Sequence, residues 1–375
     1  MMISSSPTTP NQLLALGVLG GFLLWGGMLF NGTLDALTLA SETGTFPDGS
    51  SMRMAYTGWE VIDSNLRPLV AFFYVLTNES AGASRWTLFD ASIVIRTINA
   101  WVLIESRRRG VRHPWLRHAI GFWFLQNSGG AALIAPVHLY FIARSKHTAR
   151  DRTIPLNEAR GFCPTIVVNA LTTLLLFAPT WLDWPTHTHQ GYISLFQLGP
   201  LMMTVAIVLF TRPGTSATVP ETPKDPKNPN VDAPWVLAAY YMTGIAASIA
   251  HLYVVVVALT GMRGSELTIS RLFRPSPRKV FSALPGSHEA LKEGLHLFVQ
   301  YDNMIAGAAC LVFVHYMLQN IPKKNGSPTW KGREKSNIEF LYLLVASAVL
   351  GPAGAGSFGL AVREKRLRAE LEEKK

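Results

Sequence analysis

The chain has 375 residues, 49% of them hydrophobic and 15% charged, with 34 Lys+Arg against 24 Asp+Glu and a formal net charge of +10. A soluble domain carries roughly 25% charged residues, so this balance and a mean hydropathy of +0.21 favour a polytopic membrane protein and exclude a disordered or collagen-like chain. Two cysteines exclude a disulfide scaffold, and because the basic residues sit between apolar runs, anionic lipid headgroups fit the charge better than nucleic acid does.

The first twelve residues lack a positive region, so Leu13 to Phe30 is read as a first transmembrane helix rather than a cleaved signal peptide. Asn31-Gly32-Thr33 and Asn78-Glu79-Ser80 match the glycosylation tripeptide, a weak signal by itself. An apolar run of about 20 residues crosses a hydrocarbon core. Such runs occupy 12–30, 62–77, 87–106, 119–143, 162–182, 192–210, 234–260, 290–318 and 338–361. The expected fold is therefore all-α, a polytopic transmembrane helical bundle of about eight or nine spans. The whole chain, 1–375, reads as one integral-membrane domain. It carries a Pro-rich loop at 211–233 and a polar tail at 362–375, expected to extend as a helix. Basic loops fall on both sides of every topology, and the tail's six basic residues slightly favour a cytosolic C-terminus. Cys163 and Cys310 lie in apolar stretches and read as buried free thiols.

Several chemistries lack their residues. No Asp-rich cluster offers the hard oxygen ligands that magnesium-dependent ionisation of a prenyl diphosphate requires. No nucleophile elbow, phosphate loop or zinc spacing appears. His113 and His118 have one spacing of a di-iron histidine box without the rest of the set, and read as a headgroup-facing loop. Haem ligation through His138, His251, His296 or His315 is a weaker reading than hydrogen-bonded packing.

Charges inside a membrane are costly and usually face the bundle interior or a cavity. Four segments carry such groups. In residues 61–74, Asp63 and Arg67 are four apart and share a helix face; a capping role for Asp63 is the equal alternative. Phe72, Phe73 and Tyr74 follow. In 99–110, Glu105 sits where an apolar helix meets a basic loop, with Arg108 and Arg109 three and four residues on. An interfacial ion pair competes there with a carboxyl tuned by burial and a guanidinium. Asp90 and Arg96, earlier in this span, are expected to line the interior. In 126–140, Gly129 and Gly130 allow close helix approach, and Pro136 is expected to kink the span and free the carbonyl four residues earlier. Gln126, His138 and Tyr140 around it suggest a cavity, with packing as the alternative. In 296–303, His296, Gln300 and Asn303 form a polar stripe, and Asp302 lies off it toward the apolar run. Of all single residues Asp302 is the most expected to act.

At these segments a pattern accumulates. Asp63 precedes Leu69-Val70-Ala71-Phe72-Phe73. Glu105-Ser106-Arg107-Arg108-Arg109-Gly110 is followed by Val111. Gln126 precedes Gly130-Ala131 and Pro136-Val137-His138-Leu139-Tyr140, and Gln300-Tyr301-Asp302 enters a late helix. The chain thereby resembles the fungal integral-membrane terpene cyclases of meroterpenoid biosynthesis, of the ascofuranone and macrophorin type, across roughly residues 55–315. It departs from their pattern at Val111, where they carry Asn, and in the spacing of Tyr140.

The resemblance implies proton-initiated cyclisation of a lipophilic prenylated substrate, a farnesyl-bearing phenol or its terminal epoxide, in a membrane expected to be the endoplasmic reticulum. It implies no cofactor and no metal, no nucleic-acid partner, and contacts with membrane lipids but no obligate protein partner. A carboxylic acid kept protonated by burial would start the reaction, and aromatic faces would stabilise the cations. The expected catalytic set is Asp302 or Asp63 as acid, Glu105 as partner carboxylate or terminating base, and Arg108 orienting it. The expected substrate-binding set is Phe73, Trp101, Gln126, His138, Tyr140, Gln300 and Tyr301. A transporter or a lipid- or sterol-binding protein is the alternative, which the lack of a visible inverted repeat weighs against. A membrane acyltransferase or a sterol-type isomerase is a third reading.

Overall fold

A computed structural model describes residues 8–145, 147–211, 228–262, 267–321 and 331–372. Most of the expected Pro-rich loop, 212–227, and the tail end, 373–375, lie outside the described residues. Among the described residues there is no strand, only an isolated bridge between Thr45 and Ser51. The longer helices are α1 (Asn11–Phe30), α2 (Thr33–Thr43), α3 (Glu60–Thr77), α4 (Ala83–Ser106), α5 (Ile120–Gly129), α6 (Ala131–Arg144), α7 (Phe162–Trp181), α8 (Thr186–Phe196), α9 (Gly199–Thr211), α10 (Ala233–Thr260), α11 (His288–Gln319) and α12 (Lys331–Glu372), the last kinked at Gly351, where φ is +74°.

Among the described residues six helices are long and apolar enough to cross a membrane, or seven if α8 and α9 count as one bent span. This is fewer than the eight or nine expected, for local reasons. The run at 62–77 lies in α3, whose first turns carry Glu60, Asp63 and Arg67. The run at 192–210 is broken, with α8 and α9 meeting at 53°. The run at 119–143 is split at Gly130, which adopts φ +89°. That backbone region is open to glycine at little cost, and a Cβ there would stand 2.5 Å from Leu24 Cδ1. Pro136 is accommodated inside α6. The outer faces stay apolar: Ile245, Ile249 and Val256 on α10, and Leu341, Val345 and Val349 on α12, are all exposed. Rows of exposed aliphatics at helical spacing are foreign to a soluble surface and compatible with a multi-pass membrane protein.

α4 and α11 run through the centre of the bundle and supply much of its buried core. Ser287 caps α11, its hydroxyl accepting from Ala290 N at 3.1 Å. Trp101 on α4 stacks on Phe313 of α11 and donates its indole N–H to Ser357 Oγ of α12 at 2.9 Å. Both cysteines are free thiols, Cys310 buried and Cys163 half-buried.

α1 packs on α6 through Gly17, Gly20 and Gly21, whose spacing lets two backbones approach. Pro136 has no N–H to give the carbonyl of Ala132, and it is this carbonyl that faces Gly20: a Cβ on Gly20 would lie 2.3 Å from it. Gly27, two turns further along, has nothing within 4 Å of its would-be Cβ. Gly20→Ala is therefore expected to destabilise by about 1–3 kcal/mol through overpacking. Gly27→Ala should be neutral or slightly stabilising, since alanine is the better helix former. Thermal unfolding of the two purified variants in detergent checks this, and equal behaviour would contradict it.

Candidate active site

Where α5 stops at Gly130, the first N–H groups of α6 lose their helical acceptors. Asp302 on α11 meets them, its Oδ1 accepting from Ala132 N at 2.5 Å. The residue is 7% exposed and lines an apolar cavity of about 350 Å³ enclosed by α1, α2, α3, α4, α8, the α5–α6 break and α11. A carboxyl at the N-terminus of the second of two apolar helices parted at a glycine resembles the ion and substrate sites that broken membrane helices build.

Aromatic rings form one wall. Phe298 lies one turn before Asp302 and meets Phe72 edge to face at 5.1 Å. Phe72 meets Phe73 at 5.1 Å, and Phe73 meets Phe196 at 5.3 Å. Trp25 meets Phe298 at 6.2 Å. It lies in a π-helical turn of α1, Phe22–Gly26, and its indole donates to Gly129 O at 2.9 Å. Single π turns recur at functional sites because they re-aim a side chain, and this one ties Trp25 to the end of α5. Arg96 of α4 and Gln126 of α5 are also on the lining.

Of the expected residues, Phe73, Gln126 and Asp302 come together in this cavity. Asp63 lies outside it, beneath the loop before α3. Its carboxylate accepts from Tyr56 N at 3.1 Å, Thr57 N at 2.8 Å, Thr57 Oγ1 at 2.9 Å and Gly58 N at 3.0 Å. Desolvation works to raise its pKa, but these bonds from Thr57, Tyr56 and Gly58 hold it below the usual carboxylate value. Arg67 pairs with Glu60 at 2.7 Å instead of with Asp63.

Glu105 lies nine residues beyond Arg96 on α4, about 13 Å along the axis, in a different constellation. Its Oε1 meets Arg108 Nη2 at 2.7 Å, Arg363 Nη1 at 3.0 Å and the Tyr240 hydroxyl at 2.7 Å; its Oε2 meets His147 Nε2 at 2.7 Å. Arg108 also reaches Glu364 at 2.6 Å and the carbonyl of Arg152 at 2.6 Å. Arg368 joins Glu364 at 2.8 Å and Asp232 at 2.7 Å. Burial opposes the charge on Arg108, but Glu105 and Glu364 more than offset it. Burial also lowers the His147 pKa against the pull of Glu105. The polar tail is thus drawn in: Arg363, Glu364 and Arg368 are buried.

The other expected side chains serve packing or further contacts. Trp101 binds Ser357, His138 stacks on Phe122 at 4.0 Å, and the Tyr140 hydroxyl accepts from Arg144 at 2.5 Å. Gln300 donates to Arg271 O at 2.7 Å and Arg274 O at 3.1 Å, and Tyr301 packs at the edge of the aromatic core. Asp90 pairs with His251 at 2.8 Å and Asn303 at 2.9 Å beside a second cavity of about 630 Å³, on another face of α11. Trp25, Phe196 and Phe298 are cavity residues that sequence reading did not single out. Their ring contacts join helices far apart in the chain, and only the π turn, hidden in a uniformly apolar run, marks Trp25 locally.

Residues 10–368 match the CtvD domain. The chain is 36% identical to the protein named terpene cyclase DEP1 of Fusarium langsethiae over 376 residues, covering 96% of this chain and 99% of that protein. It is 35% identical to terpene cyclase DEP1 of Alternaria brassicicola, with the same 96% and 99% coverage. It is 24% identical to terpene cyclase alnG of Emericella nidulans, covering 88% of this chain and 86% of that one. No solved structure matches the chain.

Proposed function

The chain belongs to the CtvD domain family and is a terpene cyclase; from that premise we propose that it cyclises a farnesyl-type prenylated substrate within a membrane, expected to be the endoplasmic reticulum, by proton initiation from Asp302. The observation that carries this reading is a buried carboxyl on the wall of an aromatic cavity, oriented by a backbone N–H. With Oδ1 engaged by Ala132 N–H, the acidic proton sits on Oδ2. Asp302 gives it to the terminal epoxide oxygen or the terminal double bond. The tertiary cation so formed is attacked by the next double bond, each ring closure moving the charge along the chain. The last cation loses a proton that returns to the Asp302 carboxylate, directly or through water, so the acid is restored and substrate and product are isomers. The faces of Phe72, Phe73, Phe298 and Trp25 stabilise the passing charge without adding to it. The carboxylate left on Asp302 stays bonded to the N-terminus of α6, where negative charge is favoured.

On this reading Glu105, Arg108 and Asp63 position the scaffold. Glu105 and Arg108 lock α4, α10 and α12 together, and Asp63 fixes the loop that covers the start of α3. Membranes of a host expressing the chain, fed a farnesylated phenol and its terminal epoxide in turn, should convert at least one into a product of unchanged mass with fewer double bonds and a new ring. Recovery of both substrates unchanged, or only the diol from water opening of the epoxide, would contradict the proposal.

A further inference from the structure

The Asp302 cavity also contains a cation that has no ion-pair partner among the described residues. Arg96 projects from the middle of α4, is 6% exposed, and lines the cavity. Among the described residues its guanidinium has no ion pair and no hydrogen bond, and its Nε is buried without an acceptor. Its guanidinium lies over a ring instead, with Cζ 4.8 Å from the centroid of Phe196. The neighbouring guanidinium nitrogens sit against Gly199, at the bend between α8 and α9, where a Cβ would stand 3.5 Å from them. Two more donors on the same lining lack acceptors, Gln126 Nε2 and Asn127 Nδ2. Elsewhere the protein pairs its buried arginines: Arg108, Arg363 and Arg368 all hold carboxylates.

An uncompensated buried charge is costly, and so is each orphaned donor. Three such groups on one wall of an otherwise apolar cavity make a receptor for oxygen. We infer that Arg96, with Gln126, binds the oxygen-bearing head group of the substrate, a phenolate, carboxylate or carbonyl, while the prenyl chain lies along the rings that lead to Asp302. The ring contacts trace that path. Arg96 touches Phe196, Phe196 touches Phe73, Phe73 touches Phe72, and Phe72 touches Phe298, one turn from the acid. The substrate is thus amphiphilic, and its head sets which double bond or epoxide reaches Asp302. Arg96 is a binding and specificity-determining residue, and this assignment rests on the reading of the cavity as the cyclisation site.

The test is direct binding by titration calorimetry on the full chain in detergent. The two probes are a farnesylated hydroxybenzoate and farnesyl benzene, which has the same chain without the oxygens. The wild-type protein should bind the first about 30-fold more tightly, the scale of a charge-assisted hydrogen bond. In Arg96→Met that ratio should collapse toward one, and Arg96→Lys should restore part of it. Because a ratio is read on one preparation, partial misfolding does not move it. No preference in the wild-type protein, or an unchanged ratio in Arg96→Met, overturns the assignment. The proposed acid fails separately: full turnover by Asp302→Asn with the probe ratio intact would remove Asp302 as initiator and leave Arg96 as head-group receptor.

Discussion

Asp302→Asn is expected to abolish the cyclised product while the protein accumulates and elutes from a sizing column as the wild type does. Asparagine keeps the shape of the side chain and an oxygen that accepts from Ala132 N–H, so the α5–α6 break and the cavity wall persist. What it removes is the acidic proton. Positioned acids contribute about 10²- to 10⁴-fold in rate, and the product should fall by at least about 10³-fold because the cavity wall offers no second carboxyl among the described residues. Product analysis normalised to folded protein gives the answer. Full activity in this variant would remove the assignment of the acid.

The second large effect is on stability. Arg108→Met should sharply lower the yield and melting temperature of the purified protein. Arg108 lies between Glu105 and Glu364, all three with fully buried side chains. Its removal takes away the guanidinium shared by the two carboxylates, leaving Glu105 with Arg363 and Glu364 with Arg368 alone. Breaking a buried pair by deleting one partner costs about 3–5 kcal/mol, against a total stability of about 5–15 kcal/mol for ordinary proteins. A fall in melting temperature on the order of 10 °C follows from that scale. Glu105→Gln should show the same loss of stability, because Arg108 and Arg363 then lose a shared anion. Its product per folded molecule should stay near the wild-type value. A Glu105→Gln protein that melts normally but makes no product would instead make Glu105 a catalytic group.

The two experiments separate carboxylates that look alike along the chain. Asp63, Asp90, Glu105 and Asp302 all lie within or beside apolar runs. In the folded chain Asp63 is occupied by a loop, Asp90 by His251 and Asn303, and Glu105 by two arginines, a tyrosine and a histidine. Asp302 alone of the four lines the aromatic cavity, held by a backbone N–H. The scarcity of charge in the apolar runs made each of these residues legible as a candidate, but nothing local distinguished them.

What the sequence determined by itself is what depends on short-range composition. The helical fold class follows from runs of apolar residues long enough to cross a bilayer, and the likeness to membrane terpene cyclases follows from short motifs at fixed spacing. Tertiary structure decided the rest, because the deciding contacts are remote in sequence. Whether 119–143 forms one long helix or two short ones is decided at Gly130, where the backbone takes φ +89° and packs against Leu24. Whether the basic tail is a solvated extension or part of the core depends on Glu105 meeting Arg363, 258 residues away. A hydropathy pattern records how costly a buried charge is. Only the folded chain supplies the partner that offsets the cost, or, at Arg96, leaves the place for a substrate to do so.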